Sequence, residues 1–203
     1  MKTTILKQDN IEDAIQALKK GEVIAFPTET VFGLGVVFDD ENAYHRLVSI
    51  KNRPPTQPFT LMCGDVNDIK KYAYVDSQTE TLIKAFMPGQ LTLILRVKED
   101  VPPMVTLGTG FIGIRVSELK FVQDMIRRVG KPLLVPSANK HGDAPALNHE
   151  EALLAFKGDI PYIIEGQSIS HIPSTIIKID DKIELIREGM IPFSRIKDIV
   201  RSI

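Results

Sequence analysis

The chain has 203 residues, 43% apolar and 25% charged, with 25 Lys and Arg against 26 Asp and Glu for a formal net charge of −1; this is the make-up of a globular protein with one sizeable core, and it excludes disorder, collagen and fibre. Near-zero net charge gives no global attraction to nucleic acid or anionic lipid, so an anion site has to come from local clusters of Lys and Arg. The single cysteine, Cys63, cannot form an internal disulfide; with a polar start and no apolar run near the roughly 18 residues of a membrane span, a cytoplasmic protein with no membrane association is expected.

Ile11, Ala14, Ile15 and Leu18 follow helical spacing after a capping Asp9 or Asn10, and Gly21 stands where a helix ends. Val23 to Phe26 reads as a buried strand stopped by Pro27. Further helices are predicted at 40–51, 77–86, 120–129, 149–156 and 192–201, and strands at 59–63, 91–97, 112–116, 133–136, 162–164, 175–179 and 183–187, with Asp180-Asp181 as a hairpin turn. The mixture predicts an α/β fold with some antiparallel pairing. Neither repeat nor linker divides it, so one domain over 1–203 is expected.

Common catalytic signatures are missing from the sequence. Gly130-Lys131-Pro132 is no phosphate loop, and Gly108 to Gly113 matches GxGxxG only literally, because it runs into the strand-like Ile112-Gly113-Ile114-Arg115-Val116 instead of opening a helix. His45, His141, His149 and His171 lack metal-ligand spacing, so no dedicated metal site is expected, and there is no GxSxG elbow.

What remains is a scatter of hydroxyls and cations after strands. Thr28 and Thr30 share a side if the Pro27 to Thr30 segment stays extended, with Glu29 pointing the other way; a helix cap or a Ser/Thr turn is the plainer alternative. Gly33 and Gly35 allow a close backbone approach, to a ligand or to packing neighbours. Lys51 and Arg53 close a predicted helix and could converge on a phosphate, although cations at a helix C-terminus are favoured in any case. Arg115 ends an apolar run, where a guanidinium can grip a carboxylate. Ser137 and Asn139 follow another strand, and Ser174, Thr175 and Arg187 sit beside the late ones.

Taken together, Ala25 to Gly35, Lys51-Asn52-Arg53-Pro54, Pro88-Gly89 with Thr92, Gly113 to Val116, Pro136 to Asn139, Ser174 to Ile177 and Ile186 to Gly189 resemble the Sua5/YrdC/YciO family over essentially the whole chain. That resemblance implies a twisted mixed parallel/antiparallel sheet with flanking helices and a basic concave groove, in the short form that has no additional C-terminal domain. It also implies an L-threonylcarbamoyladenylate synthase, which makes threonylcarbamoyl-AMP and pyrophosphate from L-threonine, bicarbonate and ATP. Its product serves the N6-threonylcarbamoyladenosine modification of tRNA through a downstream threonylcarbamoyl transferase machinery.

Carried over, Thr28, Arg115 and Ser174 are similar to the threonine-binding residues, and Lys51 and Arg53 to catalytic nucleotide-phosphate ligands. Ser137, Asn139 and Arg187 are similar to ATP-binding residues. Mg2+ would accompany ATP, with no prosthetic group. Gln90, Ser117 and His141 depart from the usual proline, proline and serine, and Phe111 replaces a frequent hydroxyl. Phe59 to Cys63 and the Pro88 to Gln90 turn resemble the YciO branch, whereas Ser137 to Asn139 and Ser174-Thr175 resemble the synthases. Two rivals stand beside this reading: a non-catalytic module binding tRNA or double-stranded RNA by its phosphates, and a carbamoyl-transferring relative of the hydrogenase-maturation type.

Overall fold

The computed structural model describes residues 1–52, 56 and 58–201. In chain order the elements are β1 (Thr4–Leu6), α1 (Glu12–Lys19), β2 (Ile24–Phe26), β3 (Gly33–Val37), α2 (Glu41–Lys51), β4 (Leu61–Cys63), α3 (Ile69–Tyr72) after a 3-10 turn, α4 (Ser77–Phe86), β5 (Leu91–Arg96), α5 (Pro103–Thr106), β6 (Phe111–Val116), α6 (Lys120–Val129), β7 (Leu133–Leu134), α7 (His149–Phe156), β8 (Tyr162–Ile164), β9 (Thr175–Ile179), β10 (Ile183–Arg187) and α8 (Phe193–Arg201).

The described strands form one mixed sheet in the order β1-β8-β2-β3-β7-β4-β6-β5-β9-β10. Parallel pairs join β1 to β8, β8 to β2, β4 to β6 and β5 to β9, and the remaining neighbours are antiparallel. The expected α/β fold with antiparallel content is therefore found, and β9 and β10 form the hairpin turning at Asp180-Asp181.

Helix boundaries follow local chemistry. Asp40 accepts from Ala43 N at 2.9 Å to cap α2, whose last residue is Lys51, with Asn52 left-handed behind it. Asp76 caps α4 through Thr79 N at 2.7 Å. For α1 the expected Asp9 or Asn10 cap is not used: Ile11 occupies the N-cap position without a side-chain bond, and packing of Ala14, Ile15, Ala17 and Leu18 holds the helix instead.

Two strands were absent from the sequence reading. Thr4–Leu6 is an edge strand of three residues, two of them exposed, too short to show a strand pattern. Gly33–Val37 is buried throughout; a Cβ on Gly33 would lie 2.5 Å from Val135 Cγ1 and one on Gly35 2.6 Å from Phe26 Cε1, so these glycines serve close sheet packing.

Apolar clusters fill both faces. Helices α1 and α6 pack with Phe26, Met62 and Leu133 on one face. On the other, α2, α4 and α7 and Ile196 of α8 pack with Leu61, Leu93, Ile114 and Ile177. Alternation along β5, β6 and β9 thus sends Leu93, Ile114 and Ile177 into the core and Thr92, Arg115 and Ile176 to the opposite face. That face carries the site. No helix among the described residues is long and apolar enough to cross a membrane.

Candidate active site

A cavity of about 260 Å³ opens where the end of β2, the loop after β7, the starts of β5 and β9 and the ends of β6 and β10 meet. Its walls include Thr28, Thr30, Thr92, Arg115, Ser137, Ser174 and Arg187, with Phe32, Phe59, Met62 and Ile176 as apolar lining. Thr28, Thr30, Arg115, Ser137, Ser174 and Arg187, all singled out in the sequence, therefore share one cavity.

The Thr28 segment is a turn and does not stay extended: Thr28 Oγ1 accepts from Thr30 N at 3.2 Å and donates to Val31 O at 2.7 Å. The two hydroxyls still meet, at 2.9 Å. Because the Thr28 proton goes to Val31 O, Thr30 is the donor of that pair, and Thr30 Oγ1 in turn accepts from Arg115 Nη1 at 3.0 Å. A directed chain from Arg115 through Thr30 to Thr28 results.

Glu29 does not point away from this arrangement. Its fully buried carboxylate accepts from Arg115 Nη2 and from Ser117 Oγ, both at 2.5 Å. Arg115, 6% exposed, is thus held at two nitrogens while its Nε has no partner among the described residues. A buried charge survives only when paired and hydrogen-bonded, so an acid after one strand and a base within another apolar strand were a readable signal for this ion pair. Sequence reasoning missed Glu29 and Ser117 here, and set Thr30 beside Thr28 without its link to Arg115.

Arg187 stands exposed at the mouth, its Nε and Nη2 both donating to Ser174 O at 3.2 and 3.0 Å. Partial burial of its head group, and then the charge of Arg115, lower its pKa from the ordinary arginine value. Glu29 offsets one of the two cations, so the cavity keeps positive charge for an anion. Ser174 Oγ and Thr92 Oγ1 lie 2.8 Å apart beside them. Thr92, seen in the sequence only as part of a motif, is a wall residue.

Lys51 and Asn139 lie behind the Ser137 wall. The buried Lys51 ammonium donates to Ser137 O at 2.6 Å, Asn139 O at 2.9 Å and Asn139 Oδ1 at 3.4 Å. Ser137 Oγ donates to Asn139 Oδ1 at 2.6 Å. Neither Lys51 nor Asn139 lines the cavity, and Lys51 is a clamp on the loop that does. Arg53 lies outside the described residues. Of the residues departing from the family pattern, Phe111 is on the same sheet face but away from the cavity, under Lys178 at 4.2 Å and Arg96 at 5.0 Å. His141 donates its backbone N–H to Lys51 O at 2.8 Å.

Comparisons with known proteins bear on the family and the fold. The chain is 35% identical over 157 residues to a threonylcarbamoyl-AMP synthase of Yersinia enterocolitica, covering 75% of this chain and 82% of that one. The fold matches Pyrococcus abyssi Sua5 complexed with L-threonine at TM-score 0.92 and 29% identity; 98% of this chain is covered, and it spans 61% of that longer one. It matches Escherichia coli YciO at TM-score 0.85 and 30% identity, covering 94% of this chain and 97% of that one. The model of the Sua5, YciO and YrdC proteins, described as "Telomere recombination", matches residues 16–189. Since that match runs from within α1 to the glycine that follows β10, the chain belongs to the Sua5/YciO/YrdC family.

Proposed function

We propose that this chain is a threonylcarbamoyl-AMP synthase, joining L-threonine, bicarbonate and ATP into threonylcarbamoyladenylate, pyrophosphate and water. The observation that carries this reading is the charge imbalance of the cavity: Arg115 and Arg187 face it and Glu29 offsets only one of them, beside two hydroxyl pairs. Such a lining suits a small zwitterion with a carboxylate and a hydroxyl. Arg115 Nε would bind the threonine carboxylate, and Thr28 and Ser174 its polar groups.

N-carboxylation of threonine yields a carbamate, anionic at neutral pH, which needs no dedicated base to attack. Its oxygen forms a bond to the α-phosphorus of ATP while the bond to the bridging oxygen breaks, and pyrophosphate leaves with that electron pair. Neutralising and aligning two anions is then the main task of the protein. Arg53 and Arg187 would contact the nucleotide, Ser137 would present its hydroxyl from the loop, and Lys51 and Asn139 would act on the nucleotide through that loop. No group of three His, Cys, Asp or Glu among the described residues could hold a metal ion, so Mg2+ would be carried by the triphosphate itself. When bound there it supplies charge neutralisation at the phosphates.

The product would pass to a threonylcarbamoyl transferase acting on tRNA in the cytoplasm. Arg96 and Lys178 on the open sheet face favour a second reading, a basic groove that holds RNA by its phosphates. A pyrophosphate-release assay with threonine, serine or no amino acid separates the two. Threonine-dependent, bicarbonate-dependent release supports the synthase; salt-sensitive RNA binding with no pyrophosphate overturns it.

A further inference from the structure

Ser117 does not line the cavity, yet it is fully buried directly beneath it, and the hydrogen bonds around it are unusually complete. Its hydroxyl donates to Glu29 Oε2 at 2.5 Å and accepts from Leu119 N at 3.2 Å, and its carbonyl accepts from Gln123 Nε2 at 2.7 Å. The hydroxyl is therefore fixed by the start of α6 and can point its proton only one way.

Glu29 is fully buried and has two oxygens to satisfy. One takes Arg115 Nη2 and the other takes Ser117. A carboxylate anchored at both oxygens cannot rotate to receive the guanidinium in a two-pronged fashion, so Arg115 stays bound through Nη2 alone, with Nη1 on Thr30. What this leaves over is the Nε–H, which is buried and has no partner among the described residues.

From this geometry we infer that Ser117 is a positioning residue for amino-acid binding: by pinning Glu29 it keeps one N–H of Arg115 in reserve for the carboxylate of the substrate. The inference rests on the functional reading above and assigns a specificity role to a residue outside the cavity. A proline at this position has no hydroxyl and could not make the bond, so the device belongs to this chain's own sequence. Without the hydroxyl, the buried Glu29 Oε2 is left short of a donor, and the cheapest repair is to draw Arg115 onto both oxygens. The N–H held for the ligand is then consumed by the protein.

The test uses the full chain and three variants, Ser117→Ala, Ser117→Cys and Ser117→Thr, each checked by thermal melting. L-threonine binding is measured by calorimetry, and pyrophosphate release with threonine and ATP varied in turn. Ser117→Ala is expected to weaken threonine binding and raise its KM about tenfold, with the KM for ATP and kcat each within about twofold of the parent. Ser117→Thr, which keeps the hydroxyl, restores threonine affinity to within about threefold. Ser117→Cys, close in volume but a weak donor, falls between them and carries the test if the alanine variant does not fold. Unchanged threonine affinity in a folded alanine or cysteine variant overturns the inference, as does an equal loss for threonine and ATP. A parent chain that neither binds threonine nor releases pyrophosphate overturns the functional reading and this inference with it; a parent that does both while the variants match it overturns the inference alone.

Discussion

The hydroxyls of Thr92 and Ser174, 82 positions apart in the sequence, lie 2.8 Å from each other, Thr92 in β5 and Ser174 just before the parallel strand β9. Both are buried, and the backbone oxygen of Ser174 is the one that holds Arg187. The pair therefore couples the floor of the cavity to the cation at its mouth.

Removing one hydroxyl strands the other. Thr92→Val and Ser174→Ala are each expected to cost about 1 to 2 kcal/mol, whereas the double variant should cost less than their sum by about 1 kcal/mol, because no buried donor is left unmatched. Urea denaturation of the four proteins checks this, and strict additivity would refute it.

Lys51 has a structural duty as well as a proposed positioning one. Lys51→Ala leaves the carbonyls of Ser137 and Asn139 without their donor, with an expected loss of about 2 kcal/mol, or roughly 4–8 °C in melting temperature. Pyrophosphate release should fall below detection in the same variant. Wild-type melting with wild-type release would show that the clamp does neither job.

Burial, and next the charge of Asp68, push the Cys63 thiol up to about 12. The native chain should therefore resist a thiol-reactive disulfide reagent at pH 8 and react fully once denatured. Because the folded value lies above the ordinary 9.0, the stability tied to this group is fully present below that value and lost as pH rises toward about 12. Melting curves from pH 8 to 11 should decline less steeply for Cys63→Ala than for the parent.

Gly189 lies against the segment that forms the cavity wall. A Cβ there would come within 2.1 Å of Pro173 O and 2.7 Å of Ser174 C, which is backbone and cannot swing aside. Gly189→Ala is expected to destabilise by about 3 kcal/mol and to raise the KM for threonine, since the Ser174 strand has to move. Denaturant titration alongside KM measurement checks both effects.

Most elements could be read from apolar periodicity, and the reasons for the exceptions are physical. Val122, Met125, Ile126 and Val129 announce α6 because its whole buried face is aliphatic. Gly33 and Gly35 hide β3, because glycine carries no strand preference and its reason for being there is a neighbour far away in sequence, Val135 or Phe26. At the site, strand-end hydroxyls and cations were legible as a set since each breaks an apolar run. Which of them face the cavity was not. Lys51 and Ser137 are both polar residues near strand and helix ends, and only the tertiary arrangement puts one behind the other. Ser117 was visible as a departure from the family pattern, but its purpose depends on Glu29, 88 positions earlier.

The pairing of β1 with β8 sets an order of events. Thr3 near the start bonds Ile160, 157 positions later, and Ser174 and Arg187 arrive later still. While the polypeptide emerges vectorially from a ribosome, the first strand has no sheet neighbour until nearly four-fifths of the sequence has been made, and no nascent fragment ending before Arg187 can possess a finished cavity. Long-range closure of this kind slows folding. The anion binding proposed for the cavity would then report on full maturation, appearing only after the final hairpin has docked.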